Sequence, residues 1–176
     1  MTNKITIVCG IDPGLLRTGY GVLRVDEDDD SVTVMDAGVV RCSPNEPLGL
    51  RLAELAAGID EVLDENDVQV VAVEQIYSHY QRPRTAILMA HARGVMLLEA
   101  ARRDCRILHL PATTIKRHLT GNGRASKEQI QRAVADVLSL GRIPEPADVA
   151  DALAVALCAV GVLQRRARQT WSNDGQ

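Results

Sequence analysis

Four acidic residues, Asp12, Glu74, Asp148 and Asp151, stand where the surrounding sequence is apolar. Asp12 closes the run ITIVCGI at the turn DPG, and Glu74 closes VVAV. Asp148 and Asp151 interrupt PADVADALAVAL, otherwise mostly Ala, Leu and Val, at a spacing of three. That spacing puts both on one helical face, where two like charges repel unless something positive sits between them. Carboxylates a few ångströms apart either take up protons or bind metal. The donors are hard oxygens with no His or Cys nearby, which points to Mg²⁺, or Mn²⁺ in its place, rather than zinc. Taken singly, each acid has a plainer explanation: Asp12 begins a turn, Glu74 lies on the surface, and Asp148 is a first-turn acid favoured by the helix dipole after PEP. Asp151, with apolar neighbours, is harder to explain that way, and the combination is what points to chemistry.

The elements that must position these acids follow from hydrophobic period. ITIVCGI, 5 to 11, is short, continuous and β-branched, as a central buried strand is. TGYGVLRV, 18 to 25, and SVTVMDAGVV, 31 to 40, follow after short polar connections and make an antiparallel meander. Residues 46 to 66 place Leu48, Leu52, Leu55, Ile59 and Leu63 at threes and fours, so they form a helix. VQVVAVE, 68 to 74, is a buried strand, and a helix at 85 to 103 leads to the strand CRILHL at 105 to 110. Helices near 112 to 119, 126 to 139 and 147 to 164 complete an α/β domain over residues 1 to 164, built on a mixed sheet of five strands. Residues 165 to 176, RRARQTWSNDGQ, read as a disordered tail. If the strands ending in Asp12 and Glu74 are neighbours, their carboxyl ends share one sheet edge, the usual place for a site in an open α/β sheet.

The 176 residues are 46% hydrophobic, enough for one core, with three Tyr, one Trp and no Phe. No window approaches 18 uninterrupted apolar residues and the N-terminus lacks a signal-peptide build, so the expected location is cytoplasmic, away from membrane. Cys9, Cys42, Cys105 and Cys158 form no CxxC pair and read as small buried hydrophobes. The four histidines have no ligand spacing. The formal charge of -3 conceals a division: residues 21 to 67 hold thirteen acids against three arginines, and residues 74 to 133 hold eleven Lys or Arg against four acids. A basic half of this kind suits a polyanionic partner. DEDDD, 26 to 30, reads as a solvated hairpin loop.

GIDPGLLRTGYGVL, VAVEQIY, HARGV and PADVADALAVAL, in that order and at these separations, closely resemble the RuvC family of Holliday-junction resolvases. The resemblance runs from about residue 5 to 163. It implies an RNase H-like fold, a homodimer, four-way junction DNA as substrate in recombination and repair, and a RuvA-RuvB branch-migration complex as partner. It carries the catalytic and metal-binding acids onto Asp12, Glu74, Asp148 and Asp151, and two functional lysines onto Lys116 and Lys127. It implies two Mg²⁺ per site, held about 4 Å apart, hydrolysing a phosphodiester to a 5′ phosphate and a 3′ hydroxyl, with Lys127 neutralising charge on the scissile phosphate. Many members carry Phe where this chain has Tyr77, a ring that stacks on an unpaired base; tyrosine can stack similarly. The loop that follows adds Tyr80, Arg82 and Arg84, a mixture suited to flipped bases and phosphates, and its sequence departs from the familiar pattern. Ile87, Leu88, Val95 and Leu98 on the helix at 85 to 103 are the candidate dimer contact, with core packing as the alternative.

Two other classes fit less well. Actin-like and sugar kinases also begin with a strand, an Asp-x-Gly turn and a hairpin, but need two such domains and have no place for paired aspartates on the last helix. A non-catalytic DNA-binding module of the same fold would lack at least one acid, and all four are present. A nuclease of this fold acting on RNA in hybrids is the nearest alternative, distinguished by substrate.

Overall fold

The apolar run that ends in Asp12 becomes the central strand of the sheet. In a computed structural model describing residues 5–76 and 83–173, β1 (Ile5–Asp12), β2 (Arg17–Asp26), β3 (Val32–Arg41), β4 (Val70–Glu74) and β5 (Arg106–Leu110) lie in the order β3-β2-β1-β4-β5. β1 runs antiparallel to β2 and β2 to β3, while β1, β4 and β5 are parallel. Among the described residues the helices are α1 (Leu48–Glu65), α2 (Pro83–Arg102), α3 (Ala112–Thr120), α4 (Lys127–Val137) and α5 (Ala147–Asn173). The mixed five-stranded sheet expected from the sequence is the one observed.

Alternation along each strand divides the core into two layers. Val8, Val70, Ala72 and Leu108 face α3, α4 and α5, while Ile7, Cys9, Ile11, Val71 and Val73 face α1 and α2. Strands covered on both faces read as continuous apolar runs, which is why β1 and β4 looked central. Leu55, Ile59, Val62 and Leu63 bury the inner face of α1. All four cysteines are buried and unpaired, and burial pushes the Cys9 thiol up to about 12. By length and composition Ala147–Gln169 could cross a bilayer, but most of its apolar residues are buried here against the sheet and the neighbouring helices.

α5 lies unusually close to β1 and β2 because glycines leave room for it. A Cβ on Gly10 would stand against the backbone of Ala156 and Ala152, and one on Gly19 against the backbone of Asp148. The helix can therefore descend onto the strand end that carries Asp12.

Where a disordered tail was expected from 165, α5 continues through the described residues to Asn173. Nothing in QRRARQTWSN breaks a helix, and the extension finds a partner in the hairpin acids. Arg168 pairs with Asp30 at 2.9 Å, and Gln164 Nε2 donates to the same carboxylate at 3.1 Å. Asp30 stays in the exposed loop between β2 and β3 that DEDDD suggested, and anchors the helix from there. α4 ends two residues earlier than its period implied, since Ser139 takes a left-handed conformation (φ 51°) and Leu140 N donates back to Ala135 O.

Candidate active site

Asp12 and Glu74 meet because β1 and β4 are adjacent and parallel. Ile11 pairs with Val73, so the next residue on each strand is an acid at the same sheet edge. On the other side Asp12 pairs with Gly19 of β2, and the missing side chain there admits the first turn of α5 with Asp148. Asp151, one turn on, faces the same edge. Lys127 arrives from a third direction: Ser126 caps α4 in a reciprocal capping box with Gln129, fixing Lys127 as the first helical residue.

The charges of the four acids act on one another. The Asp12 carboxyl is pushed up to about 7, first by desolvation at the buried strand end, then by the charges of Asp151, Glu74 and Asp148, with Lys127 opposing. Glu74 is also raised, by burial and then by Asp151, with Lys116 opposing. Lys127 Nζ lies 2.6 Å from Asp151 Oδ2, and its ammonium is held above its ordinary range chiefly by that hydrogen bond. Arg17 Nη2 lies 2.7 Å from Asp148 Oδ2. The repulsion expected between the paired aspartates is relieved here by two basic side chains of the chain itself. Among the described residues, no three His, Cys, Asp or Glu side chains stand as a ready-made ligand group. The donor set fits hard divalent cations: four carboxylates, two of them pushed toward protonation by burial and by neighbouring acids, gain most from a cation between them.

Of the site residues expected from the sequence, the structure brings together Asp12, Glu74, Asp148, Asp151 and Lys127, with Lys116 close enough to act on Glu74. Arg84 is exposed in the first turn of α2. Tyr77, Tyr80 and Arg82 lie outside the described residues. The expected dimer stripe divides: Leu88 and Val95 pack partly buried against the core, while Ile87 and Leu98 are exposed at 58% and 48%.

Two arginines were missed in reading the sequence. Arg17 sits in GLLRTGYG five residues after Asp12, and the signal was a lone base beside the DPG turn. Arg93, in HARGV, donates from Nε to the main-chain oxygen of Glu74 at 3.3 Å and from Nη2 to His109 Nδ1 at 2.7 Å. An arginine is always a donor, so His109 accepts at Nδ1. Arg93 therefore braces the end of β4 just where Glu74 leaves it.

A family model described as crossover junction endodeoxyribonuclease RuvC matches residues 8–159. The chain is 48% identical over 156 residues to the crossover junction endodeoxyribonuclease RuvC of Rhodopirellula baltica, covering 89% of this chain and 86% of that protein. It superposes on the Thermus thermophilus RuvC structure with a TM-score of 0.81 at 32% identity, covering 90% of this chain and 96% of the other. The Thermus thermophilus RuvC in complex with Holliday junction substrate gives 0.79 at 33%, covering 87% and 92%. The five-stranded mixed sheet is accordingly RNase H-like. With its acids gathered at the edge shared by β1 and β4, the chain belongs to the RuvC family of crossover junction endodeoxyribonucleases.

Proposed function

We propose that this endonuclease resolves Holliday junctions with Asp12, Glu74, Asp148 and Asp151 holding two Mg²⁺ ions, Mn²⁺ serving in their place, and that it acts as a homodimer. The observation that carries the reading is Asp12 itself: a buried carboxyl with three further acids acting on it is pushed up to about 7, a charge conflict that bound cations would relieve without a proton. Bound there, the pair would supply an activated water and stabilise the leaving 3′ oxygen, giving 5′ phosphate and 3′ hydroxyl ends.

The chain's own residues do the rest. Lys127, now held by Asp151, is the group placed to neutralise charge on the scissile phosphate. Lys116, whose charge reaches Glu74, offers a second phosphate contact on the same side. Arg93 fixes the strand end, so that Glu74 is positioned from behind. Tyr77, Tyr80, Arg82 and Arg84 follow Glu74 directly in sequence and are assigned to the junction centre, Tyr77 by stacking on a base. Assay of a four-way junction with Mg²⁺ tests the metal reading. Nicking should stop when EDTA removes the cation and return when Mg²⁺ or Mn²⁺ is restored; cutting that persists in EDTA would contradict it.

Pairing of two such sites across a two-fold axis matches a junction with its own approximate two-fold symmetry, allowing symmetric nicks in paired strands. The face available for that contact carries the exposed apolar side chains Ile87 and Leu98, with His91 and Gly94 exposed between them at heptad-like spacing along α2. Ile87→Asp with Leu98→Asp should sediment at half the wild-type mass while keeping its helix content; an unchanged mass would place the dimer contact elsewhere. A RuvA-RuvB motor is the proposed partner that moves the junction to the site, in the cytoplasm.

A further inference from the structure

Of the two bases that hold the α5 acids, Lys127 has a role toward phosphate and Arg17 has none in the mechanism above. The backbone beneath Arg17 is pinned. The neighbouring Thr18 is fully buried and donates from Oγ1 to Gly14 O at 2.5 Å, Cys42 N donates to Leu16 O at 3.1 Å, and Gly19 lies against the backbone of Asp148. Arg17 opens β2 in register with Arg41, its side chain 46% exposed, and its Nη2 reaches the 29% exposed carboxylate of Asp148. Only the side chain needs to move for the pair to open, and solvent already reaches it. The guanidinium stays charged at every working pH, so it leaves Asp148 by displacement and never by losing a proton.

We propose that Arg17 is a built-in competitor for the metal: it occupies Asp148 in the metal-free protein, yields when a cation takes that carboxylate, and so sets the cation concentration at which the site fills. The inference rests on the reading of the four acids as a metal site. Its consequence is a trade. Arg17 relieves repulsion among Asp148, Asp151 and Asp12 while no metal is present, and the same attraction weakens metal binding. Lys127 does the same for Asp151, but its release serves the phosphate, whereas the release of Arg17 serves filling of the site.

The test is Mn²⁺ binding to the DNA-free protein, followed by the paramagnetic resonance of free Mn²⁺ and by calorimetry, with melting in EDTA alongside. Removing one positive charge a few ångströms from the carboxylate should tighten Mn²⁺ binding about three- to tenfold in Arg17→Met. The same variant should melt below wild type in EDTA and close that gap when saturated with Mn²⁺. Arg17→Gln serves the same comparison with a polar stem, and Arg17→Lys should stay near wild type because the charge remains. In an Asp148→Asn background the effect of Arg17→Met on Mn²⁺ affinity should vanish, since the two side chains form one coupled pair. Unchanged or weaker Mn²⁺ binding in both neutral variants would overturn the role of Arg17. No Mn²⁺ binding by wild type would instead overturn the metal reading, and this inference with it.

Discussion

Asp12→Asn should lower the rate of junction cleavage by about 10³-fold or more, with junction affinity changed little. Asparagine keeps the shape at the end of β1 but removes the charge on which Asp151, Glu74 and Asp148 all act. It should also make the metal-free protein more stable at neutral and alkaline pH. The folded-state pKa of about 7 lies above the ordinary 3.8, so the fold favours the protonated carboxyl. Stability from this group is complete below pH about 4 and is lost as pH rises through 7. In EDTA at pH 8 the variant should therefore melt above wild type, with the gap closing toward pH 4. Opposite movements of activity and stability mark a residue kept for chemistry at the expense of the fold. A variant that lost both would mark Asp12 as structural.

Gly10→Ala should be the most damaging single methyl addition at the contact between β1 and α5. The added Cβ would meet main-chain atoms of Ala156 and Ala152, which cannot turn away as a side chain can. Overpacking against backbone costs about 3 kcal/mol or more, roughly a 10 °C fall in melting temperature for a domain of this size. The displaced helix carries Asp148 and Asp151, so cleavage should fall as well. Gly49→Ala in α1 is the control, because nothing lies within 4 Å of its added Cβ; it should be neutral or mildly stabilising. Equal melting of the two variants would show that α5 has slack against the sheet.

The fold was legible wherever period and composition agreed. Ile7, Val8, Cys9 and Ile11 leave no polar face, so β1 had to be central, and the leucine spacing of α1 admitted only a helix. The acids stood out because each interrupts an apolar run. Their partners did not, since an ion pair such as Arg17 with Asp148 joins residues far apart in sequence and has no spacing to read. The same reason hid the end of α5: RRARQ looks like a solvated tail until Asp30, more than a hundred residues earlier, supplies an anchor for Arg168. The glycines were visible as letters, but what each must admit depends on the helix laid over it. The α2 stripe divided for a related reason, because hydrophobicity alone does not say which side of a helix meets the core.

The carboxylates at the edge of β1 and β4 are proposed to cut four-way junctions. The most direct test is cleavage of a synthetic mobile junction beside a linear duplex and an RNA/DNA hybrid, by wild type and by Asp151→Asn, in Mg²⁺. Paired nicks on the junction alone, absent in the variant although it still binds, are the predicted result. Cutting of the hybrid in preference to the junction, or nicking retained in the variant, would contradict it.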